Sequence, residues 1–191
     1  MLKAFASGAF VAALCVIGTM YLYFALGIAP AATADPSMPF EKKMASKALH
    51  AHIDRAGVPE SPIPADEANL LAGAKIYKEQ CAMCHGLPDQ PSPAIAESMF
   101  PHATLMFKGK GVTHDSPQES YWKIANGIRL TGMPSFKGSL QDQQLWQLSL
   151  LVARANRLPD SARKWLAATQ PSTALAGEAP LNLEVSASKK R

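Results

Sequence analysis

The chain is poor in aromatic rings and in cysteine. Aromatics are 7% of its 191 residues, so any core is small and has few large rings to fill it. Cysteine occurs three times, at Cys15, Cys81 and Cys84. An odd count with this spacing excludes a disulfide framework. No stretch alternates apolar and polar residues as a half-buried strand would, and no internal repeat is visible. Neither sign of charge dominates: the formal charge is +4 and the pI is near 9.0. That balance is too modest to point to a nucleic-acid partner, and part of it belongs to the closing "SASKKR".

A different absence shapes the N-terminus. No charge occurs between Lys3 and Asp35. The run Ala4 to Ile28, "AFASGAFVAALCVIGTMYLYFALGI", would span roughly 37 Å as a helix, against a hydrocarbon core of ~30 Å. Tyr21 and Tyr23 lie towards its far end, where aromatic rings favour the interface. Residues 1–29 are therefore expected to be a transmembrane anchor, with Lys3 and the amine inside. The alternative is a signal peptide cleaved after "ATA" (Ala32 to Ala34). The apolar run is long for a signal core and the cleavage site lies well past its end. Either way the remainder is exported. Cys15 is expected to be a buried, inert thiol, since Leu14 stands where a lipoprotein cysteine would want a small residue.

Residues 30–65 read as a tether. Pro59, Pro62 and Pro64 favour extended backbone. Between Glu41 and Gly57 an amphipathic helix is conceivable through Met44, Leu49 and Ile53, but a partly ordered spacer is the expectation. His50 and His52 are two apart, which argues against a shared metal. Residues 66–158 form the compact region. Asp66 can cap a helix running to about Cys81. A second helix fits "PQESYWKIAN", with Pro117 at its start and Gly127 at its end. A third fits Leu140 to Arg157, with Ser139 and Asp142 at capping-box spacing and Pro159 beyond. Residues 159–191 form a C-terminal extension in which "DSARKWLAATQ" could add one short helix. The compact region holds 9 basic and 8 acidic residues, so composition reveals no strongly charged docking face.

"YKEQCAMCHGLP", Tyr77 to Pro88, carries the chemistry. A zinc site needs about four ligands, yet no second cysteine pair exists, and His102 and His114 lack finger spacing. A redox dithiol wants a βαβ setting, which is missing. C-x-x-C-H is the signature of covalent haem attachment. Cys81 and Cys84 would form thioethers with the two vinyl groups, and His85 would reach the iron.

Three segments in order carry a family resemblance: "GAKIYKEQCAMCHG", "YWKIANGIRLTGMPSF" and "LQDQQLWQLSLLVA". Over about 66–158 the chain resembles class I c-type cytochromes. With the anchor, it resembles the membrane-anchored monohaem cytochromes c of bacterial respiratory chains. The resemblance implies an all-α class I cytochrome c fold with one covalent haem c held by Cys81 and Cys84. It implies His85 and Met133 as the axial ligands. Gly132 and Pro134 shape the methionine loop. Met106 and His102 are reserve ligands, and Met83 and Met99 are expected to pack. A proline carbonyl is expected to fix the His85 ring, Pro101 first and Pro93 second. Gly73 and Tyr77 are expected to face the last helix, with glycine admitting the aromatic Trp146. Trp122 would line the haem pocket or the core, and Arg129 would pair with a propionate.

The function implied is one-electron transfer at the periplasmic face of the inner membrane, with no catalytic residue and no small-molecule substrate. Its partners would be respiratory redox complexes as electron donor and acceptor. A fixed haem subunit of a larger oxidoreductase is the alternative. A ligand-binding haem sensor or peroxidase would need an open iron position, which the Gly-Met-Pro segment argues against.

Overall fold

Helix ends follow from local chemistry in the computed structural model, which describes residues 2–108 and 114–168. Eight α-helices and no strand occur among the described residues. They are α1 (Leu2–Ala25), α2 (Glu41–Ala56), α3 (Glu67–Gln80), α4 (Ala82–His85), α5 (Ala94–Ser98), α6 (Pro117–Asn126), α7 (Asp142–Val152) and α8 (Asp160–Ala167). The Asp66 carboxylate accepts from the Asn69 amide at 2.9 Å and starts α3. Ser116 does the same for α6 through the Glu119 amide, with Pro117 in the first turn. Both satisfy amides that have no partner within the helix. The start of α7 corrects the expectation. Gln141 is the cap, and Gln144 reaches back to its amide at 2.9 Å. Longer glutamine side chains close the reciprocal pair that Ser139 and Asp142 were expected to make.

The core is built around α7. Leu145, Trp146 and every residue from Leu148 to Val152 are buried on it, which is the pattern of a central helix rather than a surface one. Helices α3 and α6 flank it. The contact with α3 is a close backbone crossing at Gly73. A Cβ there would overlap the Gln147 carbonyl oxygen and lie 2.8 Å from its carbon. The glycine therefore admits backbone, not the Trp146 ring as expected. Trp146 stacks on Tyr121 of α6, with centroids 4.2 Å apart. Helix α8 packs on α3 and buries Ala162 and Leu166 completely. The core thus continues past residue 158 to the end of α8, and the rest of the extension, 169–191, lies outside the described residues.

Residues 30–65 also differ from a partly ordered spacer. Helix α2 is regular, is stopped by Gly57 in the left-handed region, and buries Ile53. Its two histidines lie just before that residue and both reach α6. His50 Nε2 lies 3.2 Å from a Glu119 carboxylate oxygen, and the His52 ring packs edge-on to Trp122 at 5.3 Å. Helix α1 makes no comparable packing. Its apolar residues between Phe5 and Ala25 face outward, and its length and mean hydropathy of 1.9 suit a membrane span. Cys15 is exposed on this helix rather than buried by protein.

Candidate functional site

The attachment motif occupies one helical turn directly after α3. Cys81 ends α3, and its carbonyl accepts from the amides of Cys84 and His85 at 3.1 and 2.8 Å. The tight turn puts Cys81, Cys84 and His85 on neighbouring positions and turns Met83 away from them. Met83 is accordingly exposed, not packed as expected. Gly86 follows with φ 75°, a region that strongly favours glycine. The phenol of Tyr77 donates to the Gly86 carbonyl at 2.8 Å. Its ring meets Phe107 edge-on at 5.2 Å. The turn is thereby fixed to the buried face of α3.

Both sulfurs are half-buried, free thiols. Burial pushes the Cys81 thiol up to about 12, with Cys84 beside it acting in the same direction. A redox dithiol needs a lowered pKa on its attacking sulfur, and Cys81 has the opposite bias. Among the described residues no three His, Cys, Asp or Glu side chains gather in a way that could hold a metal ion.

His85 is oriented from one side. Its Nδ1 lies 2.7 Å from the carbonyl oxygen of Thr104. A carbonyl only accepts, so the proton sits on Nδ1 and the Nε2 lone pair is available to a metal. Burial lowers the His85 pKa, partly opposed by that backbone bond, which favours the neutral imidazole that metals bind. The partner is Thr104 rather than Pro101 or Pro93. The reason lies in the return of the chain: the Met106 amide donates to the His85 carbonyl at 3.2 Å, which draws residues 104–106 alongside the motif.

Met133 lies on the loop that follows α6. Gly127 ends that helix at φ 70°, and a Cβ on it would lie 2.9 Å from the Met133 carbonyl oxygen. The Ile128 amide donates to that oxygen at 3.2 Å, and the Met133 amide donates to the Thr131 hydroxyl at 3.1 Å. Past Pro134, Ser135 and Phe136 bond back to the Ala125 and Ile124 carbonyls. The half-buried Met133 packs against the same core that contains Tyr77 and Met106, alongside Cys81 and Leu87. A pair of cysteines, a neutral imidazole with a free nitrogen and a soft thioether is a donor set that fits haem c.

The other expected residues divide. Met106 is buried in the core, while His102 and His114 are exposed. Trp122 is half-buried against His52. Arg129 is exposed and makes no ion pair among the described residues. Sequence reasoning missed Thr104, whose contribution is a backbone carbonyl, and Phe107. It also missed the cluster of Lys123 with Asp115 and Glu119, both at 2.7 Å.

The family model described as cytochrome c oxidase, cbb3-type, subunit III matches residues 68–150. No curated protein matches the chain. A solved structure, a chain of the Kuenenia stuttgartiensis reducing HAO-like protein complex, is similar at 30% identity with a TM-score of 0.44. The likeness covers 50% of this chain and 47% of that one, so the chain matches about half the length of that structure.

Proposed function

We propose that residues 68–150, which match the family model of cbb3-type cytochrome c oxidase subunit III, are a c-type cytochrome domain with covalent haem c, and that the protein is a one-electron carrier held at the periplasmic face of a bacterial inner membrane. Haem c, when bound, supplies a one-electron couple between ferrous and ferric iron. Cys81 and Cys84 fix it to the chain as thioethers. His85 would offer Nε2 to the iron, because Thr104 holds the other nitrogen. Met133 would offer its thioether to the same iron, and a soft sulfur donor raises the reduction potential. Trp122 and Arg129 are the residues proposed near the haem edge and its propionates. If His85 and Met133 both hold the iron, the chain would pass electrons without binding a substrate there. The observation that carries the proposal is the His85 Nδ1 to Thr104 bond, made by the residue directly after C-x-x-C.

Helix α1 acts as the anchor in this proposal, and the tether keeps the haem domain close to membrane partners, where its effective concentration is raised. Respiratory redox complexes would serve as donor and acceptor. The test is intact mass of membrane-extracted protein together with a haem stain. Retention of one haem after denaturation, on a chain that still contains residues 1–34, supports it. Pigment released by acidified solvent, or protein without iron, ends it.

A second reading is favoured by α2. Its docking through Ile53, His50 and His52 shortens the free part of the tether, which suits a haem subunit fixed in a larger oxidoreductase. The description of the matching family, an oxidase subunit, points the same way. Stoichiometric companions after mild extraction would support this reading over a mobile shuttle.

A further inference from the structure

The segment from α5 to Met106 touches His85 at one end and, at its middle, the residue that precedes Met133. At its end, Thr104 holds the His85 ring and the Met106 amide holds the His85 carbonyl. At its middle, Met99 lies on Gly132, the residue directly before Met133. A Cβ at position 132 would overlap the Met99 methyl carbon and lie 3.6 Å from its sulfur. The φ of Gly132 is not in the left-handed region, since only Gly27, Gly57, Gly86 and Gly127 carry a positive φ among the described glycines. A side chain at 132 would therefore meet the mobile end of Met99 rather than backbone, and would displace Met99 from its place on the loop.

The Met133 loop is held unequally. On the side of α6, the Ile128 and Phe136 amides and the Ser135 hydroxyl fix it by hydrogen bonds. At Gly132 it is the Met99 thioether that covers the loop. An unbranched, polarisable side chain with three rotatable bonds suits such an irregular gap. We propose that Met99 is the positioning residue for Met133: its packing on Gly132 sets where the ligand loop lies, so that a single strap, residues 94–106, orients both axial ligands. This inference rests on the reading of Met133 as an iron ligand. Met99 acts through volume and shape, and its sulfur coordinates nothing.

The experiment uses the full-length haem-loaded protein extracted from membranes. Met99→Ala, Met99→Leu, Gly132→Ala and Met133→Ala are compared with the parent chain. The readouts are the ferric sulfur-to-iron charge-transfer band and the reduction potential. Met133→Ala is expected to lose the band. Met99→Ala and Gly132→Ala are expected to lose most of it and to shift the potential downwards, towards the Met133→Ala value. Met99→Leu, which restores the volume without sulfur, is expected to keep both near the parent. A parent-like band and potential in Met99→Ala or in Gly132→Ala would overturn the inference while leaving the ligand reading in place. So would Met99→Leu as impaired as Met99→Ala, because volume would then be insufficient. A Met133→Ala protein that keeps the band would sink the ligand reading first, and this inference with it.

Discussion

The Tyr77 phenol donates to the carbonyl oxygen of Gly86 at 2.8 Å, and both residues are buried. That bond fastens the end of the C-x-x-C-H turn to α3. Tyr77→Phe would keep the ring against Phe107 but leave a buried carbonyl without its partner. The expected cost is about 1–3 kcal/mol. Denaturant titration of the haem-loaded protein checks it, with haem content as the control; unchanged stability would deny the bond its role.

Gly73 and the Gln147 carbonyl define how closely α3 and α7 approach. Gly73→Ala must push the helices apart or force the carbonyl aside, since a new Cβ would also lie 3.2 Å from that of Leu151. Overpacking of this kind costs about 1–3 kcal/mol. A clear fall in the thermal midpoint is expected, larger than that of an alanine at exposed Gly138, where nothing lies within 4 Å.

Lys123 contributes to the pH dependence that the structure predicts at alkaline pH, alongside Tyr77 and Tyr121, whose pKa values are also raised. Burial opposes the charge of Lys123, but the Asp115 and Glu119 carboxylates outweigh this and raise its pKa above the ordinary 10.5. The folded state keeps the proton to higher pH than the unfolded chain does. The stability this contributes is fully present below pH 10.5 and is lost as the pH rises through the raised folded value. Lys123→Met should therefore be less stable at pH 8 and show a shallower decline above pH 10. Unfolding midpoints measured from pH 8 to 12 in both proteins decide the matter; parallel curves would contradict the assignment.

Met133 is expected to set the potential. Met133→Ala should leave the haem attached through its thioethers, lower the reduction potential and abolish the sulfur-to-iron band. Redox titration with absorption spectra is the measurement, and an unchanged potential would rule out thioether ligation.

Removal of residues 1–28, given a cleavable export signal in their place, should move the haem protein from the membrane fraction to the soluble fraction. The exposed apolar length of α1 leads to that expectation. Retention on membranes by the shortened chain would assign the attachment to α2 or to a partner.

Sequence alone determined whatever depends on residue type at short range. Asp66, Pro117 and Gly127 mark helix ends because caps and stops are made within a few residues. Cys81, Cys84 and His85 announce their chemistry because thiols and imidazole at that spacing suit few purposes. The uncharged N-terminal run needs no tertiary context to be recognised. Tertiary structure decided the rest. Thr104 holds the His85 ring through a backbone carbonyl, a group that every residue carries, so no letter in the sequence could single it out. Gly73 meets the carbonyl of Gln147 for the same reason. The docking of α2 on α6 joins half-exposed histidines to a carboxylate and an indole whose nearness depends on how the chain returns. Met99 on Gly132 is likewise a fit of shapes between distant loops, and packing of that kind exists only once the chain has closed on itself.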